Sequence, residues 1–242
     1  MQKRTRPWFY YFISPVLRFL VSIVFRLDLR GFENVPSDSG FVIAISHSSF
    51  IDPVVVGVFM PRDVAPMAKI EALDYPILGG MIRAYGAFPV RRGQVDMTAV
   101  KTALSLLRQG VGLIIAPEGH RSDTGNLQQG REGAIILALR SGAPILPVAV
   151  WGGKPVWKNL VHLRRTDYSV RVGKPVLPKL DGKATRVQVS AMSDELMFYI
   201  AQMMPAEIRG YYSDLEKYTP RFLLPMNSAE PLPGVISSKE VV

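Results

Sequence analysis

Short aliphatic runs that alternate with longer amphipathic stretches constrain this chain more than any other feature. Phe41–Ser46, Val64–Ala68, Ala87–Val90, Gly112–Ala116 and Ile145–Trp151 read as strands, because a strand covered on both faces carries a near-continuous apolar run. Helical patterns fall between them at Pro53–Met60, Tyr75–Ala84, Met97–Arg108 and Arg131–Ser141, with Gly142 placed to end the last. A further strand at Tyr168–Val172 and a final helix from about Val187 to Met204 complete the series. This alternation predicts an α/β fold with a mostly parallel central sheet flanked by helices. We divide the chain into an N-terminal segment (1–28), an α/β domain (29–204) and a C-terminal tail (205–242). The tail packs on the domain or frays from it, with Tyr211, Tyr212 and Phe222 as docking points.

At 242 residues the chain is long enough to bury a core without covalent staples. It has no cysteine, which excludes disulfides, a thiolate nucleophile, iron–sulfur clusters and thiolate zinc sites. Its histidines are His47, His120 and His162, too few for a multi-histidine metal centre, and no metal or cofactor is expected. The net charge is +9, and much of it gathers at the N-terminus, where Lys3, Arg4, Arg6, Arg18, Arg26 and Arg30 face the single acid Asp28. A cationic, apolar N-terminus suits an anionic membrane surface. Nucleic acid is not an expected partner, since these cations alternate with long aliphatics rather than with stacking platforms.

The stretch Pro7–Phe25 is 19 residues with one charge. That is near the minimum for crossing a hydrocarbon core of roughly 30 Å at ~1.5 Å per residue. Pro15 and Arg18 lie near its middle, and a central arginine opposes insertion by about 2.5–3.5 kcal/mol. Ser14, Arg18, Ser22 and Arg26 recur every fourth residue as one polar stripe on an otherwise apolar helix. We expect two short interfacial helices divided near Pro15, with the arginines reaching phosphates. No cleavage site of small residues precedes Arg26, which argues against a secretory signal.

The polar groups of interest sit just past the predicted strands. Ser46-His47-Ser48-Ser49-Phe50-Ile51-Asp52-Pro53 follows the first. Asp52 fits the N-cap and Pro53 the first helical position, so a carboxylate stands one loop from an imidazole. Read by itself, the same stretch is ordinary helix capping after an ordinary loop. No G-x-S-x-G elbow is present, so a His–Asp pair here must activate a hydroxyl of the substrate, or water. Gly86 through Gly93 carries Arg91 and Arg92, a fork suited to a phosphate monoester. Pro117-Glu118-Gly119-His120-Arg121-Ser122 closes a third strand. Each loop alone is a common turn, but three at equivalent strand ends converge on one edge of a parallel sheet.

Taken in order, these residues resemble the 1-acyl-sn-glycerol-3-phosphate acyltransferase family, glycerolipid acyltransferases with an H-x4-D motif. His47-x4-Asp52 matches the first motif, with Ser46 where asparagine is common. Gly86 and Arg92 match the second. Glu118, Gly119, Arg121 and Ser122 match the third, with His120 where threonine is usual, and Pro144–Val150 matches the fourth. The resemblance implies that His47 is the general base and that Asp52 orients it. It implies acyl-CoA or acyl-carrier protein as donor and lysophosphatidic acid as acceptor, with Arg92 and Arg121 on the phosphate. Glu118 then holds the glycerol hydroxyl or steadies Arg121, and Lys69 is either a further phosphate ligand or a solvated lysine. Amides near Gly119 or at the Asp52–Pro53 helix start are expected to receive the oxyanion. The implied location is the cytoplasmic face of the cell membrane, peripheral or monotopic. His162, in the basic stretch from Lys158 to Arg165, is expected to face anionic lipid or an acidic carrier protein. Alternatives are an acceptor that is another lysophospholipid or a glycolipid, a hydrolase, and a phospholipid-binding protein without catalysis.

Overall fold

The computed structural model describes residues 8–74, 78–91, 93, 96–180 and 182–226. In chain order the elements are α1 (Trp8–Val24), β1 (Phe25–Arg30), β2 (Phe41–Ile45), α2 (Asp52–Phe59), β3 (Val64–Lys69), α3 (Leu78–Ala84), β4 (Phe88–Val90) and α4 (Met97–Arg108). Then follow β5 (Gly112–Ile115), α5 (Gly133–Ser141), β6 (Ile145–Trp151), α6 (Val156–Val161), β7 (Thr166–Val172), β8 (Val176–Pro178), α7 (Arg186–Gln202) and β9 (Leu223–Pro225).

The strands form one sheet in the order β1-β7-β6-β2-β5-β3-β4, with β8 on β6 and β9 on β8. Pairing is parallel from β6 through β2, β5 and β3 to β4, and again between β1 and β7. It is antiparallel between β6 and β7. The all-aliphatic β2 lies at the centre with every residue buried, as an apolar run covered on both faces requires. Its Phe41, Ile43 and Ile45 pack with Val21, Phe25, Val55 and Val56 on the side of α1 and α2. Val42 and Ala44 join the core of α4, α5 and α7 on the other side. Gly142 ends α5 in the left-handed conformation (φ 68°), its N–H on Ala138 O at 2.8 Å.

Two expectations about the N-terminus are corrected. A single helix, α1, runs through Pro15 where two were expected. A proline removes one backbone bond from a helix, and α1 is held beyond it by Val21, which is buried, and by Arg18. Its Nε donates to Val58 O at 2.6 Å and its guanidinium lies 6.0 Å from the Phe59 ring. The second correction concerns the boundary after residue 28, which falls inside β1; this strand pairs with β7 from Phe25↔Thr166 to Arg30↔Arg171. At the other end the tail packs rather than frays as far as residue 226. The buried Glu195 carboxylate accepts the amides of Arg221, Phe222 and Leu223, while Tyr212 is buried.

Candidate active site

The site begins where β2 ends. Ser46 Oγ accepts from Val150 N (2.7 Å) and donates to Val150 O (3.0 Å), clipping the chain to β6 as it leaves the sheet. The next residue is fixed from the opposite side: His47 N donates to Glu118 Oε1 (2.8 Å), and His47 O accepts from Ser122 N (2.8 Å). Both partners lie on the loop after β5. The backbone of His47 is therefore clamped between two neighbouring strand ends before its ring makes any contact.

The ring's Nδ1 lies 3.1 Å from Asp52 Oδ2. Asp52 is fully buried, and burying a carboxylate is tolerable only with dense hydrogen bonding. Oδ2 also accepts Ser48 N (2.8 Å) and Ser49 N (2.7 Å), while Oδ1 accepts the Tyr168 hydroxyl (2.7 Å). Asp52 is thus the first residue of α2 rather than its expected N-cap, and it caps the loop before it. Because this carboxylate accepts from every other neighbour, Nδ1 is left to donate, which directs the acceptor lone pair to Nε2. No described residue engages Nε2. Burial, then the charge of Asp52, pushes the Tyr168 hydroxyl well above its ordinary range, so it remains a donor.

Glu118 is buried and both its oxygens are occupied by backbone, Oε1 by His47 N and Oε2 by Gln128 N (2.9 Å). Burial pushes its carboxyl up to about 7, against the pull of those two amides. No bond from Glu118 to Arg121 exists among the described residues; the carboxyl ties the loop after β2 to the β5–α5 connection and braces that connection on itself. Gly119 sits at φ +78°, where a side chain is strained, and a Cβ there would meet the Arg131 side chain at 2.8 Å. Some of the amides near the expected oxyanion positions are engaged within the fold. Gly119 N already donates to Ala116 O (3.0 Å), Asp52 N to Ser49 O (3.1 Å), and the two serine amides to Asp52.

The cations occupy the same edge. Arg121 is exposed, one residue before the amide that holds His47 O. Lys69 ends β3, is exposed, and pairs with Glu71 at 3.3 Å. The parallel register sets Lys69 opposite Val90, so the Arg91 loop adjoins it. Arg92 lies outside the described residues. His120 is exposed with Nδ1 near Arg121 O, and His162 caps α6; neither meets the His47–Asp52 pair. Among the described residues no group of three or more acidic or histidine side chains is placed to hold a metal.

Tyr168 is the residue that sequence reasoning missed. The alternation in Thr166–Val172 puts it on the buried face of β7, and a buried tyrosine must find a partner for its hydroxyl. Nothing in the sequence names that partner as Asp52, 116 positions away.

Polar groups at the carboxyl ends of adjacent parallel strands define the class of α/β enzyme to which this chain is built. A family model described as Acyltransferase matches residues 26–151. A 1-acyl-sn-glycerol-3-phosphate acyltransferase of Bacillus subtilis is 33% identical over 154 residues, 62% of this chain and 76% of that protein. A chloroplastic protein of the same name from Brassica napus is 28% identical over 182 residues, 72% of this chain and 52% of that protein. The crystal structure of a 1-acyl-sn-glycerophosphate acyltransferase from Thermotoga maritima shares the fold, with a TM-score of 0.59 at 23% identity over 80% of this chain and 79% of that one. The chain belongs to the acyltransferase family, among the relatives of the 1-acyl-sn-glycerol-3-phosphate acyltransferases, and is an acyltransferase.

Proposed function

We propose that this chain transfers an acyl group from the thioester of acyl-CoA or acyl-carrier protein to the sn-2 hydroxyl of 1-acyl-glycerol-3-phosphate, giving phosphatidic acid. The names of its relatives support the acceptor class. The observation that carries the chemistry is the 3.1 Å contact between His47 Nδ1 and an Asp52 carboxylate saturated by three further donors. A base fixed in this way has one nitrogen left for substrate. His47 Nε2 takes the proton of the acceptor hydroxyl as its oxygen attacks the thioester carbonyl. The tetrahedral oxyanion then collapses, the C–S bond breaks, and the leaving thiolate takes the proton back from the imidazolium. Arg92, Arg121 and Lys69 hold the acceptor phosphate, while Glu118 and Gly119 set the geometry of the loop against His47.

We infer that the reaction runs at a membrane surface on the cytoplasmic face, with the chain peripheral or monotopic. No helix among the described residues is long and apolar enough to cross a membrane. One face of α1 nevertheless leaves Val16, Phe19, Leu20 and Ile23 exposed. Both acceptor and product carry acyl chains, and moving each CH₂ into water opposes extraction by about 0.8 kcal/mol.

The test is product analysis after incubating the purified chain with acyl-CoA, and separately with acyl-carrier protein, across lysophospholipids and glycolipids. Phosphatidic acid formed from lysophosphatidic acid is the expected result. Preference for another acceptor, thioester hydrolysis without transfer, or no turnover would overturn the proposal in favour of the corresponding alternative. Arg92→Ala and Arg121→Ala should each raise the acceptor KM by roughly 10-fold, with smaller effects on kcat. An unchanged KM would remove that arginine from the phosphate site.

A further inference from the structure

The segment between β6 and β7 exposes apolar groups that the reaction leaves unused. Trp157, Leu160 and Val161 recur at helical spacing on one face of α6, and they are 62%, 42% and 81% exposed. Leu163 follows at 94% exposure and holds φ +53°, a left-handed conformation that a leucine rarely adopts. A strained turn that lifts a leucine almost wholly into solvent is unfavourable in water and suited to an apolar medium.

The surroundings name that medium. From residue 152 to 166 the charged residues are Lys154, Lys158, Arg164 and Arg165, with no acid among them. Asp167, the next acid, pairs with Arg26 at 3.5 Å. The segment also connects to both the site and the N-terminal helix. Phe50, three residues past His47, stacks on Trp157 with ring centroids 5.5 Å apart and planes 6° from parallel. Gly153 packs so closely that a Cβ would lie 2.7 Å from the Tyr168 ring and 3.3 Å from Asp52 Oδ1. Arg165 donates to Ser22 O (2.7 Å) and Phe25 O (2.6 Å), joining the segment to the end of α1 near the exposed Ile23.

We propose that Trp157–Leu163 is a second membrane-insertion element, seating its apolar side chains in an anionic lipid surface beside the loop that carries the His47–Asp52 pair. Apolar groups ringed by cations match the interfacial region of an anionic leaflet. The proposal rests on the membrane-surface reading above and adds to α1 a contact on the side of the catalytic loop. An acidic carrier protein is the competing occupant.

The experiment uses the full chain, vesicles of phosphatidylcholine and phosphatidylglycerol (about 3:1), and pure phosphatidylcholine vesicles. Co-sedimentation should weaken at least ~10-fold in a chain carrying Val161→Ser and Leu163→Ser. Turnover on a monomerically dispersed short-chain acceptor should stay within about twofold. Bromine-labelled acyl chains should quench a component of tryptophan emission that Trp157→Phe removes. Equal partitioning by the double variant, or no Trp157-dependent quenching, overturns the proposal while leaving α1 as the anchor. Loss of carrier-protein-dependent turnover with partitioning intact overturns it in favour of a protein partner. If the unaltered chain ignores both vesicles yet acylates the dispersed acceptor, the membrane reading falls and the acyl-transfer reading survives.

Discussion

At the scale of single residues, the arrangement separates groups poised for chemistry from groups that hold them. His47 has one ring nitrogen committed to Asp52 and the other without a described partner, so removing the ring removes the proposed base and little else. His47→Ala should therefore lower turnover at least ~10²-fold while lipid binding persists; retained turnover would remove the imidazole from the proton path. Glu118 is of the second kind, and its environment gives a pH signature. With its carboxyl raised from an ordinary 4.5 to about 7, the folded chain binds a proton there that the unfolded chain has already released. Native stability thus falls as pH rises from about 4.5 to about 7 and levels off above, by at most about 3 kcal/mol from this group. Urea unfolding of the unaltered chain and of Glu118→Gln checks this: the gap between them should narrow or reverse across that window. Parallel pH curves would show that Glu118 titrates normally. The H-x4-D spacing made His47 and Asp52 legible in the sequence, because a loop of four intervening residues brings the two side chains within reach. The Glu118 and Tyr168 contacts were not legible, since each depends on strand order, which brings residues 71 and 116 positions apart into contact.

At the scale of elements, patterns that are long and strongly periodic translated well. Met97–Arg108 and Ile145–Trp151 form as read, and the remaining central strands differ by a residue or so at their ends. What failed were elements whose identity comes from a neighbour. Phe25–Arg30 alternates apolar and charged residues, yet follows an apolar helix without a break; only β7 alongside makes it a strand. β8 and β9 have three residues each, too few for periodicity, and exist by pairing with one another and, for β8, with β6. α6 went unread because its apolar face points outward, so its pattern registers as a loop spotted with cations. The corner before α6 has one residue that sequence reasoning passed over. Gly152 holds φ +94°, and a Cβ there would stand 2.2 Å from the backbone oxygen of Asp167. The obstacle is main chain rather than a pliable side chain, so Gly152→Ala should destabilise the fold by on the order of 3 kcal/mol. It should also disturb activity, because the next glycine packs on Asp52 and Tyr168. Thermal unfolding with a change below about 0.5 kcal/mol would contradict this account.

For the whole molecule, the question is why an enzyme-sized sheet carries its apolar surface so unevenly. The core faces of the sheet are closed by α1 and α2 on one side and by α4, α5 and α7 on the other. Most of the large apolar residues exposed among those described nevertheless gather on α1 and on the stretch around α6, two elements that Arg165 joins. The chain carries a net charge of +9, and Arg26, Lys158, Arg164 and Arg165 lie close by in the chain. Burial of the apolar groups is insensitive to modest salt, whereas the attraction between exposed cations and an anionic leaflet is screened over roughly 10 Å at 0.1 M. The two contributions can therefore be separated in one assay. Turnover on acceptor embedded in anionic vesicles should fall severalfold as salt rises from about 0.05 to about 0.5 M, because fewer chains reside on the surface. The same titration with acceptor dispersed below its aggregation threshold should change turnover by less than about twofold, since the His47–Asp52 pair is buried and little screened. Equal losses on both acceptors would assign the salt effect to the proposed phosphate site, and equal retention would leave the charge without a part in membrane docking.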